Sequence, residues 1–155
     1  MAAYQDNQAI FENIPAGSGF KIAVVCAEWN KEITDKLLFG CLEVLQNAGA
    51  EIIQSVVPGT FELSYAAQYW ANDLQVDAII TLGCVIKGET PHFDFICNAT
   101  ANGITQVSLS SGKPVVFGVL TTLNLGQAKE RAGGKHGHKG REAAITALKL
   151  LHSFK

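Results

Sequence analysis

Apolar residues in this chain come in short unbroken runs. Between them lie longer stretches where apolar positions recur every three or four residues, and the alternation sets out the fold. KIAVVCA (Lys21–Ala27) is a β-branched apolar run, the pattern of a strand buried on both faces. Behind it Ile33, Leu37, Leu38, Cys41, Val44, Leu45 and Ala48 recur at helical spacing until Gly49 stops the helix. EIIQSVV (Glu51–Val57) is a second strand, ended by Pro58-Gly59, and FELSYAAQYWANDL is a helix by spacing. DAIITLG (Asp77–Gly83) is a third strand, a long helix follows Pro91, and PVVFGVL (Pro114–Leu120) is a fourth strand. From Leu125 to Leu151 the spacing is helical, with breaks near Gly133-Gly134 and at Gly140.

Four apolar strands with helices between them predict a parallel sheet covered on both faces. Right-handed crossovers make this a three-layer, flavodoxin-like α/β domain with a four-stranded sheet. Residues 1–155 are read as a single domain. Residues 1–19 have no core of their own; they either lie loose or pair with the sheet edge of a neighbouring subunit.

Composition adds three points. Apolar residues make up 48% of the chain and charged ones only 17%, which suggests surface hidden in an oligomer. A net charge of −2 gives no pull toward nucleic acid or an anionic membrane. No apolar run is long enough to span a bilayer, and the first twenty residues lack the pattern of a secretory signal. Cys26, Cys41, Cys84 and Cys97 form no CxxC pair and sit among Val, Ile, Gly and Leu. They read as buried, reduced thiols, hence a reducing compartment such as the cytoplasm.

Ligands of open parallel sheets bind beyond the carboxyl ends of the strands. The residues that follow each strand here are Glu28-Trp29-Asn30, then Pro58 to Glu62, then Cys84 to His92, then Thr121, Thr122 and Asn124. Aromatics, amides, a carboxylate and a histidine thus meet at one rim, which suits a flat polar ligand. The opposite rim offers little chemistry. Trp29 is either a stacking platform or a partly buried structural aromatic, whereas Trp70, mid-helix among Tyr65, Ala66, Ala67 and Tyr69, reads as packing. Thr90-Pro91 is a helix start, with Thr90 as N-cap and Pro91 at the first helical position. The turn is either a plain helix start or one whose Gly88, Glu89 and Thr90 amides cradle an anion, which the Glu89 carboxylate opposes unless it points away. His92 stands in that first turn, where an imidazole exchanges protons near neutral pH. Lys129, Arg131, Lys135, Lys139 and Arg141 form either a solvated basic loop or a phosphate clamp, with Arg131 suited to a bidentate grip. His136 and His138 lack the company a metal site needs, and Cys84 is too apolar in setting to pair with His92 as a nucleophile.

Four segments together are similar to the lumazine synthase family. They are VPGTFEL (Val57–Leu63), ITLGCVIKGETPHFDFICN (Ile80–Asn98), PVVFGVLTTLN (Pro114–Asn124) and GQAKERAGGKHGHKG (Gly126–Gly140). The resemblance runs from Phe20 to the end of the chain. It implies condensation of 5-amino-6-ribitylamino-2,4-pyrimidinedione with 3,4-dihydroxy-2-butanone 4-phosphate, without metal or organic cofactor. The products are 6,7-dimethyl-8-ribityllumazine, phosphate and water.

By motif position the resemblance assigns Trp29 to stack on the pyrimidine and Phe117 to wall its pocket. Asn30, Thr60, Phe61 and Glu62 hold the ribityl chain, and Cys84, Val85 and Ile86 offer main-chain groups to the ring. Gly88, Glu89 and Thr90 lie near the phosphate, with Arg131 as its main cation and Lys139 beside it. His92 moves protons. The resemblance also implies a homopentamer in which Phe117 and Arg131 complete a neighbour's site. A turn without insertion at Glu130–Gly140 suggests twelve pentamers in a 60-subunit icosahedral shell. Two departures stand out: Ser64 where the family often has proline, and His136 and His138 where small or amide residues are usual. A carrier that holds a flavin or lumazine without turnover would need neither His92 nor Arg131. A shell built for encapsulation or storage would be told apart by the lack of turnover. A Rossmann-type nucleotide enzyme is disfavoured by the missing Gly-rich fingerprint.

Overall fold

A computed structural model describes residues 9–154. The strands are β1 (Lys21–Ala27), β2 (Glu51–Val57), β3 (Ala78–Ile86) and β4 (Val115–Thr122), all parallel, in the order β2-β1-β3-β4. Between and after them run α1 (Lys31–Ala48), a 3-10 turn (Thr60–Glu62) leading into α2 (Leu63–Ala71), α3 (His92–Ser111), α4 (Leu125–Arg131) and α5 (Lys139–Phe154). A two-strand antiparallel hairpin, β5 (Ala132–Gly134) and β6 (Gly137–His138), joins α4 to α5. The three-layer α/β reading stands.

Successive side chains on a strand face opposite ways, so β1 feeds two cores. Ile22, Val24 and Cys26 pack with Leu37, Cys41, Leu45, Ala144 and Leu148, that is, with α1 and α5. Ala23, Val25 and Ala27 pack with Leu63, Ala67, Ile104 and Val107, that is, with α2 and α3. The second cover is thinner. Of the twenty residues of α3 only Thr100, Ile104 and Val107 are buried, and Tyr65, Tyr69, Phe95 and Leu109 are exposed.

Several sequence expectations shift. The third strand runs on to Ile86, so Cys84, Val85 and Ile86 belong to β3 rather than to a loop beyond it, because β4 pairs with it as far as Thr122. Helix α3 starts at His92 with Pro91 as its cap residue, and Thr90 makes no side-chain cap bond. Gly140 is no break: it lies within α5, where a Cβ would fall 2.0 Å from the Leu37 carbonyl oxygen, so its missing side chain lets α5 close on α1. Cys97 is only half-buried, while Cys26, Cys41 and Cys84 are buried and all four thiols are free. Gly49 ends α1 in the left-handed conformation at φ 82°, as the sequence suggested.

Residues 9–18 lie on their own chain. Gly17 N–H donates to the Ala48 carbonyl at 2.7 Å, a ring nitrogen of His152 meets the Ala16 carbonyl at 2.7 Å, and Lys149 Nζ donates to the Ile10 carbonyl. The rest of the expected N-terminal arm, residues 1–8, lies outside the described residues.

Candidate active site

The carboxyl rim of the sheet is laced together by main-chain bonds. Glu28 N–H donates to the Val57 carbonyl at 2.9 Å and Trp29 N–H to the Pro58 carbonyl at 3.1 Å, so the exits of β1 and β2 hold each other. Asn30 takes up φ 60°, the left-handed region that few residues other than glycine and asparagine enter readily. From there its Nδ2 donates to the Cys84 carbonyl at 2.8 Å and fastens the end of β3. Lys87 N–H donates to the Thr122 carbonyl at 2.8 Å, which ties β3 to β4 beyond the sheet. Thr100 of α3 donates through Oγ1 to the Thr60 carbonyl at 3.4 Å.

These ties frame a cavity of about 680 Å³ lined by Trp29, Asn30, Gly59, Thr60, Phe61, Glu62, Cys84, Val85, Ile86, Gly88, Thr90, His92, Phe93 and Ile96. Eleven residues singled out from the sequence line it, from Trp29 to His92. Trp29 is 72% exposed although its backbone is pinned. An indole so exposed is not held by packing on its own chain. Trp70, by contrast, packs on the second core and donates through Nε1 to Ser55 Oγ at 2.9 Å.

Glu62 bends back over Gly59, where a Cβ would lie 3.0 Å from Oε2. No heavy atom lies within 4 Å of the Cβ position at Gly88, so a ligand has open access to that backbone. Burial pushes the Cys84 thiol up to about 11, which keeps it protonated near neutral pH and removes it as a nucleophile. Phe93 and Ile96 went unnoticed in the sequence. They line the same cavity as His92, with Ile96 four residues on from His92 and three from Phe93, the spacing of neighbours on a helix face.

Four expected residues are not in this cavity. Glu89 is exposed outside it. Phe117, Arg131 and Lys139 line a second cavity, about 530 Å³, along the free edge of β4 with Phe11, Glu142, Thr146 and Leu150. There Arg131 Nη1 donates to the Gln127 carbonyl at 3.0 Å, and Lys139 Nζ pairs with Glu142 Oε2 at 2.6 Å. The chain therefore carries the expected residues as two separate groups. The opposite rim is less bare than its sequence suggested. Lys21, Glu51, Gln75 and Asp77 line a shallow polar cleft, with Lys21 bridged to Glu51 at 2.9 Å. Among the described residues no group of acidic, cysteine or histidine side chains is placed to hold a metal, and no helix is long and apolar enough to cross a membrane.

Residues 19–155 match the family model described as 6,7-dimethyl-8-ribityllumazine synthase. Proteins of that name are similar over most of their length. The one from Cytophaga hutchinsonii is 61% identical over 141 residues, covering 89% of each chain. The one from Porphyromonas gingivalis is 51% identical over 143 residues, 90% of this chain and 89% of that one. The one from Parabacteroides distasonis is 44% identical over 154 residues, 97% and 96%.

Proposed function

The chain belongs to the 6,7-dimethyl-8-ribityllumazine synthase family, and from that premise we propose how its residues divide the work of the condensation. The enzyme acts in riboflavin biosynthesis, joining the ribitylamino-pyrimidinedione to the butanone phosphate. We assign the rim cavity to the pyrimidine. Trp29 stacks on the ring, the main chain of Cys84, Val85 and Ile86 reads its polar edge, and Thr60, Phe61 and Glu62 hold the ribityl chain. One Nδ2 hydrogen of Asn30 goes to the Cys84 carbonyl and fixes the ring-reading strand, while its second hydrogen and Oδ1 serve the ribityl chain. The sugar phosphate lies toward Gly88 and Thr90.

The amine attacks the ketone and water leaves, phosphate is eliminated, and the second nitrogen closes the ring with loss of a second water. His92, exposed at the cavity mouth, carries protons between these steps. Each step needs alignment and proton transfer, and holding two substrates together supplies much of the acceleration.

The observation that carries this reading is the cavity itself: eleven residues from three chain segments, an exposed indole among them, converge on one space. The cations for the phosphate lie in the other cavity. We propose that they serve a neighbouring subunit's rim, so that a homopentamer builds each site from two chains. The free edge of β4 and the exposed aromatics of α2 and α3 support such packing. We extend this to a 60-subunit shell on the compact Ala132–His138 hairpin, and to a reducing cytoplasm on the four free thiols.

Mixing the protein with both substrates tests the reading, followed by lumazine absorbance and phosphate release, with particle mass measured in the same sample. Turnover in particles of at least five subunits is the expected result. Tight binding of riboflavin without turnover would make the protein a carrier instead.

A further inference from the structure

We propose that His138 is a positioning residue for the cationic half of the site: its imidazole is a wedge between α1 and the hairpin that fixes where Arg131 and Lys139 stand. This rests on the reading of Arg131 as the phosphate cation. Three contacts define the wedge. A Cβ on Gly40 of α1 would lie 2.3 Å from Cε1 and 2.4 Å from Nε2 of His138, so the ring occupies the place a side chain there would take. A Cβ on Gly133 would lie 3.4 Å from Cδ2, in ordinary contact on the hairpin side. Nδ1 accepts from the backbone N–H of Arg141 at 3.4 Å, in the first turn of α5.

The register makes this matter for the site. His138 pairs directly with Ala132, the residue after Arg131, and precedes Lys139. A shift of the ring moves both cations. Lys129–Glu32 at 2.8 Å and the Arg141–Glu43 pair strap the flanking helices to α1; the hairpin between them is tied to Glu130 of α4 by the N–H groups of Lys135 and His136, and the ring sets it against α1.

The wedge works only while Nδ1 is unprotonated. A proton there would set N–H against N–H at a helix N-terminus, where a cation is unfavourable. The charged groups bearing on the ring are Glu43 from α1 and Arg141 and Glu142 from α5. Burial, and next the Arg141 charge, hold the imidazole below its ordinary range near about 6.5, opposed by a hydrogen bond to the His138 backbone and then by the two carboxylates. A histidine with a depressed folded value contributes fully above that range and loses its contribution as pH falls through it. The fit is intact at neutral pH and weakens on acidification.

The test uses the assembled full-length enzyme. Gly40→Ala should raise KM for the butanone phosphate about tenfold, as overpacking of a tight contact does, and leave KM for the pyrimidine within about twofold. Adding His138→Ala to Gly40→Ala, which trades the ring for two methyl groups, should recover most of that loss. The parent enzyme's sugar-phosphate KM should rise as pH falls below about 6.5, and His138→Asn, an uncharged cap acceptor, should flatten that rise. Equal effects on both substrates, no effect of Gly40→Ala, or a double variant no better than Gly40→Ala would overturn the proposal. If Gly40→Ala does not assemble, recovery of assembly in the double variant supports the wedge and its failure overturns it. Arg131→Ala separates the two readings. If it leaves sugar-phosphate KM unmoved, the role of Arg131 falls, while amide exchange over 132–138, faster in Gly40→Ala, still decides the wedge.

Discussion

The two cavities differ in what holds them. The rim cavity is built on main-chain bonds between strand exits, with Trp29, Asn30 and Cys84 locked to β2 and β3 and no ion pair among its lining residues. The edge cavity is built on charges: Arg131 leans on its own helix, Lys139 on Glu142, and the surrounding segment is strapped to α1 by two ion pairs. A stacking platform must be rigid to meet a flat ring, and main-chain bonds at strand ends give that. A phosphate grip tolerates adjustable side chains, because charge attraction falls slowly with distance. On the proposed two-chain site, the rim cavity supplies the half that meets the ring and the edge cavity the half that meets the phosphate of a neighbouring molecule.

The largest expected contrast comes from mixing two dead variants, one altered at Trp29 and one at Arg131. With sites shared between neighbours, a site is whole only when its Trp29 half comes from the second variant and its Arg131 half from the first. In random co-assembly each condition holds about half the time, so about a quarter of the sites regain activity. If one chain supplied both halves, every site would carry a lesion and mixing would restore nothing. Native mass spectrometry of the mixed particles beside the turnover assay decides between them.

Within the rim cavity, His92→Ala should slow turnover by about ten- to a few hundred-fold, as loss of one proton shuttle does in a site that otherwise works by proximity. Complete loss in a correctly assembled variant would show that His92 does more. Within the edge cavity, Arg131→Ala should cost about 1.5–3 kcal/mol in use of the sugar phosphate, the value of a charge-assisted contact. Pyrimidine binding should barely change. The comparison of kcat/KM for the two substrates measures this directly.

The sequence revealed the rim better than the edge, for a physical reason. Strands ending in polar or aromatic residues announce a carboxyl rim, and parallel topology then brings those ends together, so Trp29, Glu62 and His92 could be grouped without coordinates. The extension of β3 through Ile86 was hidden because Cys84-Val85-Ile86 lies past a glycine that looked like a stop; Gly83 instead lies against Thr60 and Leu63. Gly140 misled in the same way, since a glycine that permits helix contact and one that ends a helix look alike in sequence. The separation of Phe117 and Arg131 from the rim was implied by the family resemblance alone, and that of Lys139 was not foreseen, because the residues by themselves do not show it. It follows from β4 being an edge strand, which only the strand order discloses.

The smallest expected effect concerns the thinner cover beside the rim. Ser64, in the first turn of α2, points its Oγ toward Gly103 of α3, where a Cβ would lie only 2.4 Å away. That oxygen is buried and makes no hydrogen bond. A buried hydroxyl without a partner costs about 1–3 kcal/mol in lost hydration, and replacing it by hydrogen recovers part of that at the expense of a small void. Ser64→Ala should therefore stabilise the fold by about 1 kcal/mol, raising Tm by roughly 2–4 °C for a chain of this size. It should leave both KM values in place, because the oxygen faces α3 and does not line the cavity. Thermal unfolding at fixed protein concentration measures the shift, since assembly makes Tm concentration-dependent. A lowered Tm would mean that the hydroxyl holds the α2–α3 joint through a partner such as bound water, and that the thin cover is fastened there rather than merely loosely packed.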